Sequence, residues 1–182
     1  MAKEKWNFDP VHSHLSFSVR HLMISKVTGT FNKWGGTFEL DPDDMTASHL
    51  EVKIDASSID TRDPDRDAHL RSPDFFDVER FPEIVFESTR VEKVNDENFR
   101  VTGDFTIRDV TKPVVLDVEY FGRQKDPWGM DRVGFAAKSS IDRKEYGLVF
   151  NMPLEGGGVL VGDTINITID VEAVKDAGTQ AA

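Results

Sequence analysis

The 182 residues carry 33 acidic against 22 basic side chains, a net charge of −11, with 38% apolar and 30% charged residues and no cysteine. That balance fits one globular domain with a sizeable core. It excludes disulfides, thiolate nucleophiles and cysteine-based metal sites. An acidic surface repels phosphate backbones and anionic membranes, so no nucleic-acid partner is expected.

The N-terminus, Met1 to Trp6, lacks the apolar core of a secretory signal. A cytoplasmic location is expected, or a periplasmic one if a signal has been removed. No stretch approaches the roughly 18 apolar residues of a membrane helix, so no stable membrane insertion is expected. Residues 1–5 read as an N-terminal extension, residues 6–175 as the folded domain and residues 176–182 as a small, polar, disordered tail.

Leu15, Phe17 and Val19 alternate with Ser16, Ser18 and Arg20, the mark of a strand with one dry face. His12 and His14 form an H-x-H pair, but they share the polar phase. His21 falls in the apolar phase, so the three cannot converge and no metal is expected. His21 alone could meet a ligand head group, or be satisfied by backbone.

Gly29-Thr30-Phe31 and Gly36-Thr37-Phe38 put glycine and ring on one face, as does Gly103-Asp104-Phe105. Such pairs suit strongly coiled strands. Phe31 and Phe38 are an odd interval apart, so a bulge at Gly35-Gly36 is expected to return both to the core. Leu50, Val52 and Ile54 make the next strand.

Residues 61–82 break the pattern. Asp63 before Pro64 is a helix start, with Asp65 in the first turn and Asp67 spaced to pair with Arg71. Ser72-Pro73-Asp74 repeats the start signal and predicts a second short helix, ended by Phe81-Pro82. The helical insert over 63–78 would plug one barrel end with Leu70, Phe75 and Phe76, leaving Arg62, Arg66 and Arg71 at the rim.

Further strands follow: Ile84 to Val91; Phe99, Val101, Phe105 and Ile107; Leu116, Val118 and Tyr120; Val133, Phe135, Ala137 and Ile141. A turn is expected at Asp109–Pro113. Arg143 continues the inward phase. It could meet an anionic head or pair with Asp67 to hold the insert, and the pairing is favoured. Gly156-Gly157-Gly158 reads as a loop, since no helix follows it. The last strand, Asp163–Val174, turns Ile165, Ile167, Ile169 and Val171 to one face. About eight strands with short links argue a closed barrel or a sandwich.

These residues resemble the YceI-like, or polyisoprenoid-binding, family. The resemblance rests on Asp9-Pro10-Val11-His12-Ser13, Val19-Arg20-His21 and Gly29-Thr30-Phe31. It rests also on Arg62, Asp67, His69-Leu70, Asp74-Phe75-Phe76-Asp77, Thr111-Lys112-Pro113 and Tyr146-Gly147-Leu148, and runs from Trp6 to Lys175. It implies an all-β, extended, lipocalin-like eight-stranded antiparallel barrel. It also implies a long isoprenoid in an apolar interior and, often, a homodimer; no cofactor is expected.

An eight-stranded barrel can hold one small ligand. Here the inward set mixes rings with Gly29, Gly103, Ala137, Ser139 and Ala173. The expected contacts are Phe17, Val19, His21, Phe31, Phe38, Leu70, Phe75, Phe76, Phe105, Phe135, Ala137, Arg143, Ile167 and Ile169. The expected role is a non-catalytic carrier, store or sequestering protein for an isoprenoid or similar lipid. Alternatives are an isomerising or cyclising enzyme with His21 as acid–base and Arg143 as its partner, and a packed-barrel interaction or stress protein.

Overall fold

The computed structural model describes residues 3–180, and side chains to residue 178. The part of the expected disordered tail at residues 181 and 182 lies outside the described residues. Ala177–Gln180 form a 3-10 turn, and the Asp176 N–H donates to the Lys5 carbonyl.

The described residues form eleven strands: β1 (Glu4–Phe8), β2 (His14–His21), β3 (Ser25–Phe31), β4 (Trp34–Leu40), β5 (His49–Asp55), β6 (Ile59–Asp60), β7 (Glu83–Lys93), β8 (Asn98–Ile107), β9 (Val110–Lys125), β10 (Asp131–Asp142) and β11 (Thr164–Lys175). All pairings are antiparallel. The order β1-β4-β5-β7-β8-β9-β10-β11 closes through a β1–β11 pairing, giving an eight-stranded barrel with β2, β3 and β6 as its continuation. Closure pairs the ring's strands on both sides, except where β9 and β10 part beyond Asp117 and Lys138.

Three staves of the barrel are broken. β1 and β2 follow one another along β11, interrupted by the 3-10 turn Pro10–His12. β3 passes to β4 through Asn32-Lys33, and β5 to β6 through the turn Ala56–Ser58. Each break inverts the alternation. Trp6 and Phe8 face in before the first, Leu15 and Phe17 after it; Phe31 faces in before the second, Trp34 and Phe38 after it. The phase correction between Phe31 and Phe38 therefore lies at Asn32-Lys33 and not at Gly35-Gly36. Gly36 is instead a close-approach site, where a Cβ would strike the Glu51 carbonyl.

Glycine coverage also differs in detail. The ring over Gly29 is Phe17, its partner on β2, and the ring over Gly103 is Phe86 on β7. Phe17 is directly opposite Gly29, and Phe86 is the diagonal neighbour of Gly103, opposite Phe105, so in both places a cross-strand ring covers the bare backbone.

The expected turn at Asp109–Pro113 shrinks to Arg108-Asp109, with Arg108 at φ +57°. Pro113 sits inside β9 opposite Asp104. β10 pairs with β9 only from Asp117 onward, so the missing N–H falls where that side of β9 has no ladder.

The insert holds one helix, α1 (Pro64–Arg71), capped by Asp63, whose carboxylate accepts the N–H groups of Asp65 and Arg66. The expected second helix is a set of turns. Phe75 and Asp77 N–H groups both donate to the Ser72 carbonyl, and Asp77 takes φ +49°, a left-handed value that cannot propagate a helix.

Candidate functional site

The barrel encloses a chamber of about 280 Å³ whose wall is almost wholly apolar. Rings dominate its lower part, where Phe8 lies against Trp34 and Phe38, and Phe38 against Phe135. Aliphatic residues of β5, β8, β9 and β11 line its middle, among them Val52, Val101, Leu116 and Ile169. At the top, Leu70, Phe75 and Phe76 descend from the insert, and Phe76 meets the edge of Phe31 at 5.8 Å.

The two ends close differently. At the lower end Trp6, Leu40, Val133 and Ala173 are buried in a dense cluster. Outside it Glu4 pairs with Lys175 and Arg123, and Arg123 with Asp131. At the upper end backbone hydrogen bonds hold the plug. Asp67, buried, accepts the N–H and hydroxyl of Thr61. Arg66 donates to the Thr61 hydroxyl and carbonyl, and Arg71 to the carbonyls of Ser57 and Ile59. The expected Asp67–Arg71 pair does not form, because each side chain finds a backbone partner on the barrel rim.

Arg143 does not pair with Asp67 either. It is 3% exposed, on the chamber wall. Its guanidinium donates to the carbonyls of Gly162 (2.7 Å), Leu148 (2.6 Å), Phe150 (2.9 Å) and Val161 (3.3 Å). Asp163 lies 3.9 Å away. Burial holds the Arg143 pKa below its ordinary value, partly offset by Asp163 and Asp142. Five fixed N–H donors suit this work: the residue ties the loop after β10 to the start of β11. Tyr146 beside it is buried, and burial pushes its hydroxyl up to about 12.

Of the residues expected to meet a ligand, Phe17, Val19, Phe31, Phe38, Leu70, Phe75, Phe76, Phe105, Phe135, Ala137, Arg143, Ile167 and Ile169 all line the chamber. His21 stands above the lining, half-buried, with its backbone bridged to Val161. Ala173 belongs to the lower cluster. Sequence reasoning missed Phe8 and Trp34, which lie beside the stave breaks. The apolar phase of residues 6 and 8, opposite to that of 15 and 17, was the available signal.

Among the described residues one cluster has metal-ligand chemistry: Asp9, His12 and Glu172, on the outer surface. Arg132 already occupies it, donating to Asp9, Glu172 and Asp126 at 2.8 Å each. His12 Nδ1 lies 2.8 Å from the Asp9 carboxylate. The His12 contact, with help from Arg132, holds the Asp9 pKa near about 2 against burial, while Asp9 raises that of His12. A cation would have to displace the guanidinium, so the cluster reads as an ion-pair knot.

Fold and site together define a closed antiparallel β-barrel around an apolar chamber, stoppered at one end by a short helical insert. The chain belongs to the YceI family: the YceI-like domain model matches residues 6–173. It is 41% identical over 169 residues to a UPF0312 protein of Staphylococcus epidermidis, covering 92% of this chain and 96% of that one. It is 38% identical over 174 residues to Protein YceI of Salmonella newport, covering 96% and 87%. The Campylobacter jejuni YceI crystal structure, 31% identical, superposes with a TM-score of 0.72 over 86% of this chain and 90% of that one. The polyisoprenoid binding domain from Saccharophagus degradans, at 14% identity, shares the fold with a TM-score of 0.68 over 94% and 98%.

Proposed function

We propose that this protein binds a long apolar chain, an isoprenoid or comparable amphiphilic lipid, inside the barrel as a carrier or store and without chemistry. The carrying observation is the chamber itself. An apolar cavity of about 150 Å³ stays dry and takes up hydrocarbon. This one measures about 280 Å³, and it is walled by rings and branched aliphatics. Each buried CH₂ contributes ~0.8 kcal/mol, so a five-carbon isoprene unit gains up to ~4 kcal/mol before the cost of ordering the tail. The binding of polyisoprenoid by a domain of the same fold supports the choice of ligand.

The chemistry of the wall favours binding over turnover. Arg143, the charged residue on the lining, spends its donors on four backbone carbonyls. His21, the acid–base candidate, stands off the lining. An arginine with its donors taken and a histidine off the wall both support binding over proton transfer to a held substrate.

Native mass spectrometry of the purified protein, followed by lipid extraction, is the direct test, with a co-purifying isoprenoid as the expected result. Phe135→Glu, placing a carboxylate on the wall, should weaken lipid uptake at least tenfold, whereas His12→Ala on the outer surface should leave it unchanged. Equal losses in the two variants, or a protein that takes up no lipid at all, would sink the proposal.

A further inference from the structure

The turn joining β2 to β3 carries the wrong residue types for a surface hairpin. Its residues are Leu22, Met23 and Ile24, with Ile24 81% and Met23 55% exposed. Leu22 and Met23 take φ +53° and +63°. That left-handed region favours glycine and asparagine and is costly for bulky apolar side chains. Solvent contact and backbone strain thus both count against this tripeptide. Rules broken together at one spot mark a working surface more often than a structural one.

The charge around the tip is equally unusual. In a chain of net charge −11, no aspartate or glutamate occurs from Val11 to Phe38, while Arg20, Lys26 and Lys33 do. Arg20 and Lys26 face each other across the hairpin and make no ion pair among the described residues. Nearby acids are engaged or offset. Asp60 accepts from the Arg62 N–H and the Asn32 amide, and Asp163 sits 3.3 Å from Lys144. Glu155 is exposed on the neighbouring loop, and the further acids of this end, Asp63, Asp65 and Asp74 among them, belong to the insert and not to the hairpin. At physiological salt charges beyond ~8 Å are largely screened, so a partner meeting the tip feels Arg20 and Lys26 more strongly than the net −11.

The tip also adjoins the chamber. Val19 on β2 and Val161, bridged to His21, both line it, and the Leu22 N–H donates to the Leu160 carbonyl just beyond. Met152 extends the apolar surface across that loop.

We propose that the Leu22–Ile24 turn is a docking tip that seats the protein reversibly on an anionic phospholipid surface, where the upper end of the barrel exchanges its apolar ligand. The ligand exchange rests on the chamber reading; the docking does not. Shallow burial of apolar side chains plus attraction of flanking basic residues is the chemistry of interfacial binding. No described helix is long and apolar enough to cross a membrane, and none is needed.

The test is flotation of the full chain with vesicles of equal parts phosphatidylcholine and phosphatidylglycerol, against phosphatidylcholine alone. Binding is expected to the anionic vesicles and to fall with added salt. Ile24→Asp should weaken it on the order of tenfold or more, and Lys26→Ala about fivefold. Trp128→Asp, equally exposed at the other end, should leave it unchanged. Lipid uptake delivered from detergent should be normal in Ile24→Asp but slowed from vesicles. Phe135→Glu should float normally while failing to take up lipid by either route, so loss of the chamber reading and loss of the docking proposal give different results. Equal binding to both vesicle types, equal loss on Trp128→Asp, or normal flotation of Ile24→Asp would overturn the proposal. So would loss of a dimer by light scattering in Ile24→Asp with flotation intact, which would give the tip to a second copy of this chain.

Discussion

The two ends of this barrel are closed by opposite means. The lower end is sealed by side chains of the barrel strands: Trp6, Val133 and Ala173 are at most 1% exposed, and the ions lie outside as a knot around Arg123 and Arg132. The upper end is stoppered by three apolar side chains on an inserted segment, and polar groups bonded to backbone carbonyls hold the stopper and the adjoining loop. Hydrophobic closure contributed by the strands opens only when the sheet does. A stopper tied by hydrogen bonds can release locally, because water replaces each bond it loses. A chamber that fills and empties needs one end of each kind.

The largest expected effect breaks the sealed end. Trp6→Ala removes the largest fully buried side chain and should cost ~3–5 kcal/mol of global stability in urea unfolding. Next is the tied end. Arg143→Met strands carbonyls of Leu148, Phe150, Val161 and Gly162 and should cost ~2–4 kcal/mol. Hydrogen exchange should show the loss concentrated in residues 147–162, with strand protection kept. Uniform loss across the barrel would erase the contrast between the ends.

The ion knot sharpens the comparison through pH. Asp9 has its carboxyl held near about 2 against an ordinary 3.8. Its folded pKa is depressed, so its contribution is complete above 3.8 and disappears as pH falls through about 2. The amount is about 2 kcal/mol. Asp9→Asn should therefore lower Tm at neutral pH, and the gap from the parent protein should vanish by about pH 2. His12 has the reverse sign. Its pKa is raised above 6.5, so its contribution is present below 6.5 and fades as pH rises through the higher value. The smallest effect is Trp6→Phe. The indole Nε1 is buried with no hydrogen-bond partner among the described residues, so deleting it should cost about 1 kcal/mol or less, far below the alanine variant.

Much of the wall could be read from alternation. Ile165, Ile167 and Ile169 line the chamber as their period-two spacing requires, because β11 runs unbroken against β10. Phe31 against Phe38 announced a phase inversion, but its place was hidden. A bulge can form wherever two residues opposite one are tolerated, and the glycines drew attention from Asn32-Lys33. Phe8 and Trp34 escaped for the same reason. The partners of Asp67 and Arg143 were not legible at all, since a side chain reaching a carbonyl leaves no trace in the spacing of charges.

Local chemistry thus determined the strands, the Asp63–Pro64 helix start, the apolar wall and the absence of thiol chemistry, because each depends on near neighbours along the chain. Where the staves break, which carbonyls Arg143 holds, how each barrel end closes and that an acid-free hairpin tip stands beside the chamber were decided only in three dimensions. Those features depend on residues far apart in sequence, and ring closure of the sheet is what brings them together.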